Sequence, residues 1–255
     1  MDKLNPAPGA NETVDSLFAG RLSVIQSRTG YRFSLDALLL AHFAAVGRAG
    51  RLIDLGTGNG VVALILAALH PGLKATGLEI QPEMAGRAAR SAALNGLGER
   101  VSIVEGDVRA AGRLFPAASF DAAVSNPPYR LLASGRINPD PEKKVARHEI
   151  EANLGDFLRA GAHLLKAGGK MALIYPARRM IDLLSAMRGE GLEPKRARMV
   201  HSYAGSEATL VLVEGVRGGR AELAILPPLT VYAKAGEYTP EMKAILAGSL
   251  ALPLA

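Results

Sequence analysis

Cysteine and tryptophan are both absent from the 255 residues. Without cysteine there are no disulfides, no thiolate zinc sites and no thiol nucleophile. Long apolar runs are missing too. The best, Val61 to Leu69, is about half the ~18 residues that a membrane-spanning helix needs. The stretch Met1–Thr13 is polar and lacks the basic-then-apolar pattern of a signal peptide. A cytoplasmic protein with no membrane partner is the expectation. The five histidines show no metal spacing: position 152, where a second ligand would follow His148-Glu149, is Ala152. No metal is expected. Gly168-Gly169-Lys170 is not a phosphate loop, because position 164 is Leu164 and Met171 follows the lysine. A Gly-x-Ser-x-Gly elbow is absent as well. Metal enzymes, phosphate-loop NTPases and serine hydrolases are thereby disfavoured.

Hydrophobic residues make up 49% and charged residues 21%, enough apolar material for a sizeable core. Thirty Lys and Arg against 24 Asp and Glu give a formal charge of +6. That permits a nucleic-acid partner without demonstrating one. No repeat or low-complexity tract is visible.

From Arg51 the chain alternates strand-like and helix-like segments. Arg51 to Leu55, Ala75 to Leu78, Val101 to Val104, Phe120 to Ser125 and Lys170 to Tyr175 read as strands. Val61 to Leu69, Pro82 to Asn95, Glu149 to Leu165 and Met180 to Met187 read as helices, with Gly168-Gly169 closing the third of these. This alternation predicts an α/β fold with a mostly parallel sheet and helices on both faces. Leu192 to His201 and Ala208 to Glu214 have no helix between them and predict an antiparallel hairpin at one edge. Thr239-Pro240-Glu241 reads as a capped helix start, and Ser34 as the cap of another. The expected organisation is a loose lead-in over 1–13 and one domain over 14–248. Its first part, 14–48, packs on the sheet or covers a ligand.

Two motifs carry chemistry. The first is Asp54-x-Gly56-x-Gly58-x-Gly60, set between a strand and a helix, with Glu79 ending the next strand. Glycine allows the tight turn and close ligand approach. A carboxylate at Glu79 can accept both hydroxyls of a ribose. A dinucleotide fingerprint would need its third glycine at position 61, which is Val61, so an NAD site fits less well. The second motif is Asn126-Pro127-Pro128-Tyr129, after the fourth of these strands. The prolines remove donors and hold the turn extended. The Asn126 side chain and a backbone carbonyl, of Asn126 or Pro127, can then accept both hydrogens of a planar amine, with Tyr129 stacked on the ring. Two acceptors localise the nitrogen lone pair and aim it. An O-methyltransferase has no need of such a clamp. Both motifs fall at carboxyl ends of strands, where open α/β sheets bind ligands.

The glycine turn with Asp54 and Glu79 resembles that of S-adenosylmethionine-dependent methyltransferases. With Asn126-Pro127-Pro128-Tyr129, the chain resembles class I amino-methyltransferases, which implies a Rossmann-like fold with a seven-stranded sheet. The segment Leu22 to Leu40, with Gln26, Gly30 to Ser34, Asp36 and Leu38-Leu39-Leu40, is similar to that of the bacterial tRNA1(Val) (adenine-37-N6)-methyltransferase family, as are Arg147-His148-Glu149, Leu164 to Gly169 and Pro227-Pro228-Leu229. The resemblance implies S-adenosylmethionine as cofactor, with S-adenosylhomocysteine as product. It implies cofactor contacts from Asp54, Gly56, Gly58, Gly60, Glu79, Asp107, Val108 and Asn126. Catalysis would fall to Asn126, Pro127 and Tyr129, and the substrate would be an adenine N6 in tRNA. Asp107 reads equally as a helix cap. Protein-glutamine and rRNA guanine-N2 methylation share the motif and stay open as alternatives, as, more remotely, does a non-catalytic nucleic-acid-binding protein. The basic residues Arg130, Lys143, Lys144 and Arg147 follow the motif and read as contacts to RNA phosphates. Arg178-Arg179 and the group Lys195, Arg196 and Arg198 read either as further contacts or as solvated charge.

Overall fold

The computed structural model describes residues 7–29, 34–47, 50–128 and 152–249. The chain opens with a hairpin, β1 (Glu12–Leu17) and β2 (Leu22–Ser27), then helix α1 (Leu35–Phe43). Next come β3 (Arg51–Leu55), α2 (Val61–Leu69), β4 (Lys74–Glu79), α3 (Pro82–Leu94) and β5 (Val101–Glu105). They are followed by the short α4 (Ala111–Leu114) and β6 (Phe120–Ser125). Then α5 (Leu154–Leu164) leads into β7 (Leu165–Pro176), and α6 (Met180–Gly189) into β8 (Leu192–Tyr203) and β9 (Ala208–Arg217). Three short strands, β10 (Ala224–Ile225), β11 (Leu229–Lys234) and β12 (Glu237–Tyr238), precede α7 (Pro240–Leu246).

Strands β3 to β7 are parallel to their neighbours in the order β5-β4-β3-β6-β7. Both faces of such a sheet are covered, which is why β3 is a near-continuous apolar run. One face buries Leu52, Val124 and Ile174 under α1, α2 and α7; the other buries Ile53, Ala123 and Leu173 under α4, α5 and α6. Helix α2 is apolar all round and buried from Val61 to Ala67. A capping box between Asn153 and Asp156 starts α5. Ser34 and Thr239 cap their helices as their sequences imply.

The expected hairpin forms, but it is not the edge. Strand β9 lies between β7 and β8 and is antiparallel to both, while β10 and β11 add in parallel to β8, and β12 adds antiparallel to β11. The seven expected strands therefore run from the β5 edge to β8 of a ten-stranded sheet, and the three short strands add beyond β8. Nor do Gly168 and Gly169 end a helix. Helix α5 stops at Leu164, and β7 runs through the pair, where the β6–β7 register shifts. Gly168 takes φ +75° there, a value glycine adopts without penalty.

The N-terminal hairpin starts at Glu12, inside the stretch expected as lead-in. Its free edge is closed by α3 rather than by another strand. Asn95 exchanges hydrogen bonds with the Ser23 backbone (2.6 and 2.8 Å), and the Ile25 amide donates to Ser91. Arg90 makes a forked contact with the Glu12 carboxylate at 2.6 and 2.7 Å. That contact, with the Gly9 amide and the Arg87 charge, holds Glu12 down at about 2 against an ordinary 4.5. A depressed carboxyl adds stability above its unfolded value and loses it as pH falls towards the folded one. The Glu12→Gln variant is expected to be about 2 kcal/mol less stable at neutral pH by urea unfolding. The deficit should shrink between pH 4.5 and about 2; a deficit constant across that range would contradict the ion-pair account.

Candidate active site

The register brings the two motifs together. Leu55 at the end of β3 is paired with Ser125 at the end of β6 and with Leu78 near the end of β4. Glu79 is paired with Glu105 at the end of β5. The residues that follow these strand ends, Gly56, Asn126 and Gly106-Asp107, thus emerge with Glu79 along one rim. Each is roughly 5 Å from the next strand over. The Ser125 hydroxyl donates to the Leu55 carbonyl at 2.8 Å and ties the bases of the two turns together.

The glycine turn is closed by its own protein. The amides of Gly56 and Thr57 both donate to the Leu78 carbonyl, at 2.9 and 3.0 Å. The Gly58 amide donates to the Glu79 carboxylate at 2.8 Å, and the Gln81 amide to its other oxygen at 3.0 Å. The three glycines have φ of +71°, +56° and +81°. They differ in surroundings. A Cβ on Gly60 would lie 2.9 Å from Ala88 Cβ, and one on Gly56 3.0 Å from the Phe157 ring, whereas one on Gly58 would meet nothing within 4 Å. Gly60 serves packing of α2 on α3, and Gly58 faces open space.

Asp54 is 1% exposed and accepts from the Thr57 hydroxyl at 2.6 Å and from the Ala63 amide in the first turn of α2. Its own carboxylate therefore occupies the place at the helix N-terminus that a ligand phosphate takes in nucleotide-binding turns. Burial pushes Asp54 up to about 7, with the nearby Glu79 charge adding to the rise. Glu79 is also buried. Among the described residues, neither carboxylate has a basic partner. Two buried acids beside open space suit a cationic, hydroxyl-bearing ligand. An anionic one would meet turn amides already engaged and the buried Glu79 carboxylate.

Asp107 caps the single 3-10 turn that follows it, accepting from the Arg109 amide at 2.8 Å, and its other oxygen is held by the Arg109 guanidinium at 2.5 Å. That guanidinium pulls its carboxyl below the usual range. Val108 beside it is buried. Asn126 is half-buried at the head of its turn, Pro127 is buried and Pro128 exposed. Tyr129 and the basic residues Arg130, Lys143, Lys144 and Arg147 lie outside the described residues. Arg196 and Arg198 are neither solvated nor presented to a ligand. Arg196 pairs with the buried Glu214 at 3.1 Å and rests on the Phe43 ring, and Arg198 pairs with Glu241 at 2.8 Å.

Four contributors were not singled out from sequence: Thr57, Ser125, Arg87 and Phe157. Thr57 is within the motif, three residues after Asp54, which is the available signal for its hydroxyl. Arg87 is buried and reaches the turn through Asn59 Oδ1 at 3.2 Å, a link between elements that no local pattern reveals.

The Methyltransferase small domain family matches residues 35–189. Fold and family make the chain a SAM-dependent methyltransferase. It belongs to the family that includes the bacterial enzymes named tRNA1(Val) (adenine(37)-N6)-methyltransferase. The one from Aeromonas hydrophila is 31% identical over 196 residues, 76% of this chain and 80% of the relative. The one from Porphyromonas gingivalis is 30% identical over 229 residues, 87% and 89% of the two chains. Among solved structures, a protein from Agrobacterium tumefaciens described as an O-methyltransferase superposes with a TM-score of 0.69. It is 26% identical, over 85% of this chain and 98% of that one.

Two predictions follow from this geometry. Gly60→Ala should cost about 2–3 kcal/mol in denaturant unfolding, from backbone strain plus the Ala88 clash. Gly58→Ala should cost about 1 kcal/mol, from strain alone. Equal costs would contradict the packing role of Gly60. For Asp54, the folded value of about 7 lies above the ordinary 3.8. Folding therefore takes up a proton between these values, and the stability this brings is lost as pH rises through the folded value. The Tm of the ligand-free protein should fall relative to that of Asp54→Asn between pH 4 and about 8. A pH-independent difference would mean that Asp54 is not held protonated.

Proposed function

We propose that the chain transfers the methyl group of S-adenosylmethionine to the exocyclic N6 of an adenine in tRNA. The observation that carries the cofactor half of this reading is the pair of buried carboxylates, Asp54 and Glu79, without a basic partner among the described residues, at a turn where the Gly56, Thr57 and Gly58 amides are already engaged. Asp54 would face the cationic amino-acid end of the cofactor. Glu79 keeps lone pairs beyond its two amide contacts and would accept the ribose hydroxyls. Gly56, Gly58 and Gly60 give the backbone room to approach. Asp107 and Val108 would frame the adenine, with Arg109 holding the Asp107 carboxylate in place. S-adenosylmethionine supplies an electrophilic methyl on a sulfonium and leaves as S-adenosylhomocysteine.

Asn126 and the Pro127 carbonyl would accept the two amine hydrogens of the target base, and Tyr129 would stack on its ring. The adenine amine is a weak nucleophile because its lone pair is delocalised. Holding both hydrogens favours a pyramidal nitrogen and directs it. The proton leaves after transfer, so Asn126 needs no strong base beside it. A target in a single-stranded loop can be splayed into such a pocket, with Arg130, Lys143, Lys144 and Arg147 contacting phosphates. The relatives' names support tRNA as the substrate, and the acceptor pair supports nitrogen over oxygen.

Labelled S-adenosylmethionine, incubated with total tRNA, rRNA, DNA and protein, should put label into tRNA, recovered as N6-methyladenosine by nucleoside mass spectrometry. Label in protein glutamine or in rRNA guanine would replace this reading by one of its alternatives. Asn126→Ala should lose at least about a hundredfold in kcat while its affinity for S-adenosylmethionine stays within a few fold by calorimetry. Undiminished turnover would remove the amine-clamp role.

A further inference from the structure

We propose that the carboxyl rim of the sheet continues beyond the catalytic strands as a nucleobase-stacking surface, with the exposed ring of Tyr203 as its face and Arg178 as a phosphate contact between it and Asn126. This rests on the reading that the substrate is RNA. Because β9 is antiparallel to both β7 and β8, those two strands run the same way. Tyr203, the last residue of β8, therefore stands at the same end of the sheet as Asn126. Three strand steps separate them, β6 to β7 to β9 to β8, or roughly 14 Å across the sheet, and the register sets Tyr203 about five residues beyond the level of Asn126, roughly 16 Å further along the strands. Nucleotides flanking a target base can cover that span.

The rings form a short stack directed away from the catalytic strands. Tyr203 is paired with Tyr232 on β11, with centroids 5.5 Å apart, and Tyr232 stacks on Tyr238 of β12 at 5.1 Å and 18°. Tyr232 and Tyr238 are half-buried, whereas Tyr203 is 43% exposed. Its contact with Tyr232 lies on the β11 side, away from the catalytic strands. A base laid on the exposed ring would extend a stack that is already built. Every base has a π face, so the contact holds flanking nucleotides without reading their identity.

One basic side chain between the two points is left for a phosphate. The turn after β7 carries Arg178 and Arg179. Arg179 is held by Asp182 at 3.1 Å and lies over the Tyr175 ring. Arg178 is exposed, and no described residue pairs with it. Beyond the stack, Lys234 and Lys243 share the single carboxylate of Glu237 at 3.2 and 3.3 Å, which leaves one positive charge. Glu207, in the β8–β9 turn, is the acidic residue on this stretch.

The test uses the full chain with tRNA as methyl acceptor. Tyr203→Ala should raise the KM for tRNA roughly tenfold, with kcat at saturating tRNA and the affinity for S-adenosylmethionine unchanged. Tyr203→Phe, which keeps the ring, should match the wild type. Arg178→Ala should lower the slope of log affinity against log salt by roughly 0.7, and it covers the case in which Tyr203→Ala fails to fold. A tRNA KM within twofold of wild type for Tyr203→Ala, a Phe variant as weak as the Ala variant, or an unchanged salt slope for Arg178→Ala would each overturn the surface. In those cases wild-type turnover on tRNA would leave the proposed function standing. A wild-type protein that methylates no tRNA would overturn both.

Discussion

The site depends on one constraint: the amides of Gly56, Thr57 and Gly58 are used up inside the protein. Leu78 takes two of them, Glu79 takes the third, and Asp54 takes the Ala63 amide at the start of α2. In a nucleotide-phosphate site the same groups point at a ligand, and the helix dipole favours its negative charge. Here that favourable position is filled by a side chain, and a second carboxylate stands beside it. The turn keeps the shape of a nucleotide turn while its electrostatic preference is reversed. Spacing of glycines alone would separate these two ligand classes weakly. The hydrogen bonds separate them by charge.

The same rim makes amine chemistry geometrically natural. Parallel strands paired in register end together, so turns from distant parts of the chain arrive side by side. Leu55 with Ser125, and Glu79 with Glu105, set this alignment, and the Ser125 hydroxyl on the Leu55 carbonyl fastens it. A one-residue slip of β6 against β3 would turn Ser125 to the other face and carry Asn126 away from the glycine turn. Orientation is a large share of what such a reaction needs, because neither partner requires strong acid or base help. The rigidity of the sheet core is thus part of the site's chemistry.

Much of this was legible in the sequence because the inner strands and helices are buried on all sides. Apolar runs such as Arg51 to Leu55 and Val61 to Leu69 carry their burial in their composition, and glycine, proline and cap residues punctuate them. The outer strands lack that signal. β1 is half polar, β10 and β12 have two residues each, and β10 pairs with a strand distant in sequence. Gly168 and Gly169 were misread because a glycine pair inside a strand looks like a helix stop until the register shift is seen. Arg196 and Arg198 looked like surface charge because their partners, Glu214 and Glu241, are 18 and 43 residues away. The polar core of the site was legible as a motif, but its internal hydrogen bonds were not.

The N-terminal hairpin bears on the glycine turn through a chain of charged contacts. Glu12 on β1 is bound by Arg90 and lies 3.8 Å from Arg87, and the Arg87 guanidinium donates to Asn59 between Gly58 and Gly60. Arg87 is buried, so its charge depends on Glu12 and on the exposed Glu83 for compensation. Removing one member of a buried charge network leaves the other unsatisfied, and the cost exceeds that of the contact itself. A buried arginine deprived of Glu12 would pull away from Asn59 towards solvent or Glu83. The loop between Gly58 and Gly60 would then lose the Arg87 hydrogen bond that ties Asn59 to α3. A segment that precedes the first strand of the central sheet therefore helps hold the glycine turn in place.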